Sequence, residues 1–180
     1  MSLEIISNEF RNEDDLETIA KLSYLYFGDV HMVSFKQHRK NIYKEFKKPF
    51  YRKPNDYVIA YDNSTLLGFA LHGKFDPDES DIYLEAIRQT NFNVQKNPRS
   101  IKLIAVNQEL QHAGIGTQMT EKLIDDCYKL GEKQLFAGCW MGNGGKSYRM
   151  FTKLGFNRLK YFQNAYANGD SCIVVVKELL

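Results

Sequence analysis

The sequence predicts an α/β fold of the α+β kind, a mixed and mostly antiparallel twisted sheet flanked by helices. Three observations carry this prediction. Apolar runs of strand length, Tyr57–Tyr61, Leu66–His72, Ile101–Val106, Gln134–Trp140 and Ser171–Val176, are bounded by turn-forming residues. Segments with apolar residues at helical spacing lie between several of them. The two patterns interleave so that an antiparallel meander leads into a strand–helix–strand crossover.

Bulk properties restrict what such a fold is for. The chain of 180 residues is read as one domain with a sizeable core. Its formal net charge of +2 is spread over interspersed signs, which argues against a nucleic-acid partner. The basic stretch Lys44–Lys53 reads as a solvated helix face and its exit. Cys127, Cys139 and Cys172 stand in apolar surroundings and read as reduced core residues of a cytoplasmic protein. No apolar run is long enough for a bilayer and no signal peptide is visible, so neither membrane nor export is expected. No residue is assigned to a metal, and a homodimer is left open.

In chain order, Leu3–Phe10 is an expected first strand. Asn12–Asp15 supply cap residues for a helix whose Leu16, Ile19, Ala20, Ser23 and Phe27 run up to Gly28. Ser34 is the expected N-cap of a second helix bearing Phe35, Ile42 and Phe46, and Pro49 closes it. Tyr24, Tyr26, Tyr43 and Tyr51 read first as packing residues. Asp62–Thr65 is a turn by composition. Lys74–Arg99 is then a long connection, with a helix carrying Ile82, Leu84, Ala86 and Ile87 and a polar stretch Gln89–Pro98. Its acids Asp76, Asp78, Glu79 and Asp81 are either a solvated turn or a lid that attracts a cationic amine.

The most informative stretch follows. After Ile101–Val106 and the polar link Asn107–Leu110 comes Gln111-His112-Ala113-Gly114-Ile115-Gly116, and then a helix with Ile115, Met119, Leu123, Ile124, Cys127 and Leu130 on one face. Gly131 stops it. A strand entering a helix through a glycine-containing turn can hold phosphate. The first helical turn has unpaired N–H groups and the positive end of the dipole, and glycine admits an anion to the backbone. Beyond it, Gln134–Trp140 is a strand, Gly142–Gly145 a loop and Lys146–Leu154 a helix. Phe156–Tyr166 and Ser171–Val176 are the last strands, turning at Asn168–Asp170.

These residues carry a resemblance. Gln-x-x-Gly-x-Gly after a strand is similar to the acetyl-CoA signature of the GNAT superfamily of N-acetyltransferases. The hairpin Tyr57–Leu71 with Gly68-Phe69, the strand Lys133–Trp140 and the late helix Met150–Phe156 ending in Gly-Phe resemble that family's elements in the same order. The resemblance implies a GNAT-like domain over residues 1–180, with the 74–99 insertion near the acceptor site. It implies transfer of an acetyl group from acetyl-CoA to a primary amine, of a small molecule in the first instance. A protein N-terminus or lysine stays open.

Residue by residue, the family pattern implies that Gln111, His112, Ala113, Gly114, Ile115, Gly116 and Thr117 hold the pyrophosphate. Ile104, Ala105 and Val106 would pair with the pantetheine arm and supply an oxyanion donor. Asn143 resembles the Asn that many relatives use to contact the cofactor arm; Lys146, read from its own place at the helix start, could reach a phosphate or equally face solvent. The family often places its acid, a Tyr, four residues before the late Gly; here that position is Phe151. Tyr148, one turn earlier, is the alternative, packing being its other reading. Ser100 stands near the strand position where some relatives keep their base; Glu109, His72, Asp81 and Glu85 are alternatives, each read first as structural or exposed. Attack is expected to be direct, with Cys139 in the core rather than a nucleophile.

Two other nucleotide signatures do not fit. A P-loop through Gly145-Lys146-Ser147 needs glycine where Trp140 stands. A dinucleotide fingerprint from Gly114 and Gly116 needs glycine at Met119. A non-catalytic acyl-CoA sensor or interaction module of the same fold remains the rival, because Phe151 has no proton to give.

Overall fold

The computed structural model describes residues 2–11, 14–31, 34–47, 56–74, 81–95, 98–111, 113–142 and 144–179. Two compact units emerge. The first comprises Met1–Gly73 and Leu103–Leu123, and the second Lys74–Lys102 and Ile124–Leu180.

The first unit contains β1 (Leu3–Ser7), α1 (Asp15–His31), α2 (Phe35–Lys47), β2 (Asp56–Asp62) and β3 (Thr65–Lys74, but for its last residue). It also holds the later half of β4 (Arg99–Val106) and the first part of α4 (Ile115–Lys129). The strand order is β1-β2-β3-β4, with antiparallel β1–β2 and β2–β3 pairs, for example Ile5 opposite Ala60 and Val58 opposite Ala70. Val58–Tyr61 and Leu66–Gly73 are buried residue after residue. Such unbroken burial means that both faces are covered. On one face Tyr57, Ile59, Tyr61, Phe69 and Leu71 pack with Ile19, Ala20 and Ile42 from the two early helices. On the other, the Met119 methyl of α4 comes close to Gly68.

The early helices meet through one buried polar pair, an aromatic contact and an exposed ion pair. Ser23 Oγ lies 2.7 Å from His38 Nε2, Tyr24 meets the Phe35 ring edge-on at 5.2 Å, and Arg39 bonds Glu17 at 2.5 Å. Ser34 caps α2 as expected, accepting from the Gln37 amide at 3.3 Å. α1 runs past Gly28 to His31 rather than stopping there. One helix glycine costs only about 1 kcal/mol, which does not by itself end a helix. β1 is shorter than expected because Asn8 adopts φ 60 while its N–H still donates to Tyr57. Phe10 leaves the strand and stacks on Tyr57 at 4.7 Å. The expected cap residues Asn12 and Glu13, and Pro49, Tyr51 and most of the basic stretch beyond α2, lie outside the described residues.

The second unit contains α3 (Asp81–Thr90), the first half of β4, the end of α4, β5 (Gln134–Trp140), α5 (Lys146–Lys153), β6 (Asn157–Phe162) and β7 (Cys172–Glu178). Its order is β4-β5-β7-β6. Arg99–Ile101 pair in parallel with Leu135–Ala137, and the other two pairs are antiparallel. The three cysteines are buried and unbridged.

The helix of the long connection is a core element. α3 buries Ala86 against Phe136, Val174 and Val176, flanked by Ile82, Tyr83, Ile87 and Phe92. Phe92 meets the Phe136 ring edge-on at 6.0 Å. The polar stretch after α3 is tied down by Gln134, which is only 1% exposed. Its Oε1 accepts from the Gln95 amide at 2.8 Å, and its Nε2 donates to the Asn93 carbonyl and to Glu178, each at 3.0 Å. Beside it Arg99 and Glu132 form a buried ion pair at 3.0 Å. Asp76, Asp78 and Glu79 are outside the described residues, as is the Asp81 side chain.

Two expected boundaries differ. Leu130, read as part of the buried face, is 58% exposed. α4 ends one residue earlier, where the Glu132 amide turns back to the Cys127 carbonyl at 3.1 Å. β6 ends at Phe162 rather than Tyr166, since Asn164 takes φ 52 and breaks the extended backbone.

Gln134→Leu removes all three hydrogen bonds while keeping side-chain size. It is expected to lower stability by about 1 kcal/mol, since Asn93, Gln95 and Glu178 are exposed and their freed groups can turn to water. Urea unfolding checks this, and an unchanged midpoint would show that the Asn93–Gln95 stretch is not anchored there.

Candidate acyl-CoA site

The phosphate-loop candidate lies in the first unit. At the end of β4 the Asn107 amide donates to the Leu67 carbonyl on β3 at 2.8 Å. The Asn107 side chain then caps a short 3-10 turn, Gln108–Leu110, by accepting from the Glu109 amide at 3.2 Å. The Ala113 amide bonds back to Leu110, and Gly114 follows with φ 79, a left-handed conformation in which any Cβ is strained. The first helical bond of α4 runs from the Gln118 amide to the Gly114 carbonyl at 3.0 Å. The amides of Ile115, Gly116 and Thr117 therefore form the opening turn, which has no intrahelical acceptor and stands at the positive end of the dipole.

The loop is open where an anion needs it to be. Ala113 and Gly114 are exposed, Gly116 and Thr117 half-buried, and Ile115 is buried as the anchor of α4. Thr120 Oγ1 donates to the Gly116 carbonyl at 2.8 Å and steadies the first turn. His112 lies outside the described residues. The Gln111 side chain donates through Nε2 to the Tyr26 hydroxyl at 2.8 Å. Tyr26 in turn donates to the Val106 carbonyl at 2.8 Å. Burial pushes the Tyr26 phenol up from its ordinary value, and the Gln111 N–H partly offsets this. It stays a neutral donor.

Sequence reading treated Tyr26 as packing and missed this bridge. Nothing local signals it, because its partners are 80 and 85 residues away. The end of β4 is also shaped by Gly68. A Cβ there would sit 2.8 Å from the Ala105 carbonyl and 3.2 Å from both the Val106 Cα and the Met119 methyl. The bare backbone of β3 lets Ala105, Val106 and α4 come this close. Ile104 and Val106 are half-buried and Ala105 is buried.

The remaining candidates belong to the second unit. Lys146 opens α5 behind Gly145, whose N-cap position offers no side-chain cap. Asn143 lies outside the described residues. Tyr148 is half-buried on α5, with its carbonyl accepting from Thr152 Oγ1 at 2.9 Å. Phe151 is buried, with its ring 4.9 Å from that of Phe156. The position where the family pattern has its Tyr is thus a packing position here. Burial pushes the Cys139 thiol up to about 12, with the neighbouring Cys172 adding to the effect, so it is no thiolate nucleophile at neutral pH.

Of the other candidates, Ser100 and His72 are buried within their strands, and Glu109 is exposed on the 3-10 turn. Glu85 accepts from Gln89 one turn along α3. Among the described residues no group of three or more His, Cys, Asp or Glu is placed to hold a metal. No described helix is long and apolar enough to cross a membrane.

Known proteins can be set beside this geometry. No curated protein matches the chain in sequence. Among solved structures, a chain of the NatC complex bound to Gag peptide and CoA is 19% identical, with TM-score 0.69 and full coverage of both chains. The ribosomal-protein-S18-alanine N-acetyltransferase of Escherichia coli is 19% identical at TM-score 0.64, covering 98% of this chain and 94% of its own. The structure of yncA from Salmonella typhimurium with its cofactor acetyl-CoA is 16% identical at TM-score 0.68, covering 100% of this chain and 95% of its own. At such identities the likeness is one of fold. The family model described as the Acetyltransferase (GNAT) family matches residues 16–156, a span that includes the hairpin, the glycine turn into α4 and the late helix, and the chain belongs to that family.

Proposed function

We propose that this chain is an N-acetyltransferase that moves an acetyl group from acetyl-CoA to a primary amine. The observation that carries the reading is the open first turn of α4 behind Gly114, an anion site of the kind a pyrophosphate requires. In this reading the amides of residues 112–117 hold the pyrophosphate, with Gln111 at the head of the loop. The backbone of Ile104, Ala105 and Val106 receives the peptide-like arm, Asn143 contributes a contact carried over from the family resemblance, and Lys146 reaches a phosphate. Acetyl-CoA supplies an acyl group already activated as a thioester. A backbone N–H at the end of β4 is the donor for charge developing on the thioester oxygen.

The acceptor we propose is the amine of a small molecule, with the acids around residues 76–81 of the 74–99 insertion as its attraction. The amine must lose a proton before attack, since an alkyl amine titrates near ~10. Attack is direct; the raised Cys139 thiol supports this over a cysteine intermediate. Tyr148 is the proposed acid for the leaving thiolate. A second reading, a non-catalytic acyl-CoA-binding module, is favoured by one observation, the buried phenyl ring at Phe151. Turnover of acetyl-CoA across a panel of small amines and peptide N-termini separates the two. Cofactor binding with no acceptor raising turnover selects the module.

Four outcomes are expected. Gly114→Trp should weaken coenzyme A binding at least about tenfold, or 1.4 kcal/mol, by calorimetry. Its strain of roughly 1–2 kcal/mol leaves the chain folded, and unchanged affinity would remove the loop from the site. Tyr148→Phe should lower kcat, whereas a wild-type kcat clears that residue of the acid role. Cys139 should resist iodoacetamide in the native protein at pH 8, because a thiol at about 12 is thiolate in only about one molecule in ten thousand there. With its folded value raised above the ordinary 9.0, its contribution to stability is complete below that pH and is lost as pH rises toward about 12. Denaturation of wild type against Cys139→Ala across that window should show the difference shrinking, and a constant difference would refute it.

A further inference from the structure

The hydroxyl of Tyr26 uses both of its hydrogen-bonding functions inside the first unit. It donates to the Val106 carbonyl and accepts from Gln111 Nε2, each at 2.8 Å. The peptide unit that contains the Val106 carbonyl also contains the Asn107 amide, which donates to Leu67 on β3 at 2.8 Å. A trans peptide sends its carbonyl and its N–H to opposite sides, and no described peptide bond is cis. One peptide plane is therefore gripped from both sides, by β3 through its N–H and by α1 through its carbonyl.

That plane is the last one of β4. The next fixed point is Gln111, the first residue of the glycine turn, and its side chain is held by the same hydroxyl. A single oxygen on α1 thus joins the strand end and the loop that follows it. Strand ends otherwise fray, and a terminal peptide with one free side can rotate about its neighbouring dihedrals. With both sides taken, rotation would break a hydrogen bond at whichever end moved.

We propose that Tyr26 is a positioning residue for acetyl transfer, its hydroxyl bridge holding the Val106–Asn107 peptide and Gln111 in the orientation that receives acetyl-CoA. This rests on the acetyl-CoA reading of the same site. The hydroxyl acts through the backbone it orients rather than on the acetyl group. Reactions of bound groups are steep in such placement, and a shift of about 1 Å can cost about a hundredfold in rate.

The test uses the full chain with Tyr26→Phe, which removes one oxygen and leaves the ring. Amide exchange at Asn107, followed by NMR without ligand, should quicken at least about tenfold, because the plane is freed on one side. The kcat for transfer should fall roughly ten- to a hundredfold, while the thermal midpoint moves by only a few degrees. Gln111→Leu should cost less kcat in the Tyr26→Phe background than in wild type, since the two share one bridge. Wild-type kcat, KM for acetyl-CoA and Asn107 exchange in Tyr26→Phe would overturn the proposal. Additive losses from the two substitutions would overturn it as well. Wild-type protein that binds no coenzyme A defeats the acetyl-CoA reading itself. Wild-type binding with an indifferent Tyr26→Phe defeats only the role of Tyr26. Should Tyr26→Phe fail to fold, Gln111→Leu alone serves, and unchanged kcat with unchanged exchange at Asn107 there overturns the bridge.

Discussion

The end of β4 can lie where it does only because position 68 carries no side chain. A Cβ on β3 at that point would press on the Ala105 carbonyl, the Val106 Cα and the Met119 methyl together. Two of these three are backbone atoms, which yield far less readily than the tip of a flexible side chain. Close packing of this kind transmits any added volume as a backbone shift. The glycine therefore determines how β3, the last residues of β4 and the first turns of α4 share space. The part of the proposed cofactor site that lies in the first unit, from the strand backbone to the opening turn of the helix, inherits its position from that approach.

The second unit solves a different problem, how to anchor a long polar connection on a sheet. α3 covers the Phe136–Val174–Val176 face with Ala86 and its neighbours, an ordinary amphipathic solution. Phe92 and Val94 of the stretch that follows pack on the same cluster, but its backbone also needs polar partners. Gln134 supplies them by presenting one acceptor and one amide group to the passing backbone and to Glu178, and the Arg99–Glu132 pair neutralises its own buried charges. Buried polar groups are tolerated when each finds partners, and here they organise the connection.

The chemistry is limited by the same packing. Phe151 and Phe156 pack ring against ring, so position 151 contributes volume and offers no hydroxyl. Cys139 is desolvated enough to remain a thiol. Preorganised backbone amides stand in the foreground as a result. They need no titratable side chain, and their orientation is held by bonds such as those of Tyr26 and Asn107.

By itself the sequence determined the elements and the glycine turn that leads into α4. Strand runs, helical faces and the glycines of Gln111–Gly116 are local patterns, set by dihedral preference and period, and a chain displays them without being folded. It also located Phe151 as a departure from the family pattern. Boundaries at Gly28, Leu130 and Tyr166 were misread because local signals there are weak beside packing or a single left-handed asparagine. Only the tertiary structure decided that Tyr26 bridges β4 to Gln111, that α3 is core, and that Gln134 holds the stretch beyond it. Each of these joins residues from 39 to 85 positions apart or buries a face against strands still to come in the chain. Such contacts arise from which surfaces meet on collapse, and no local period records that.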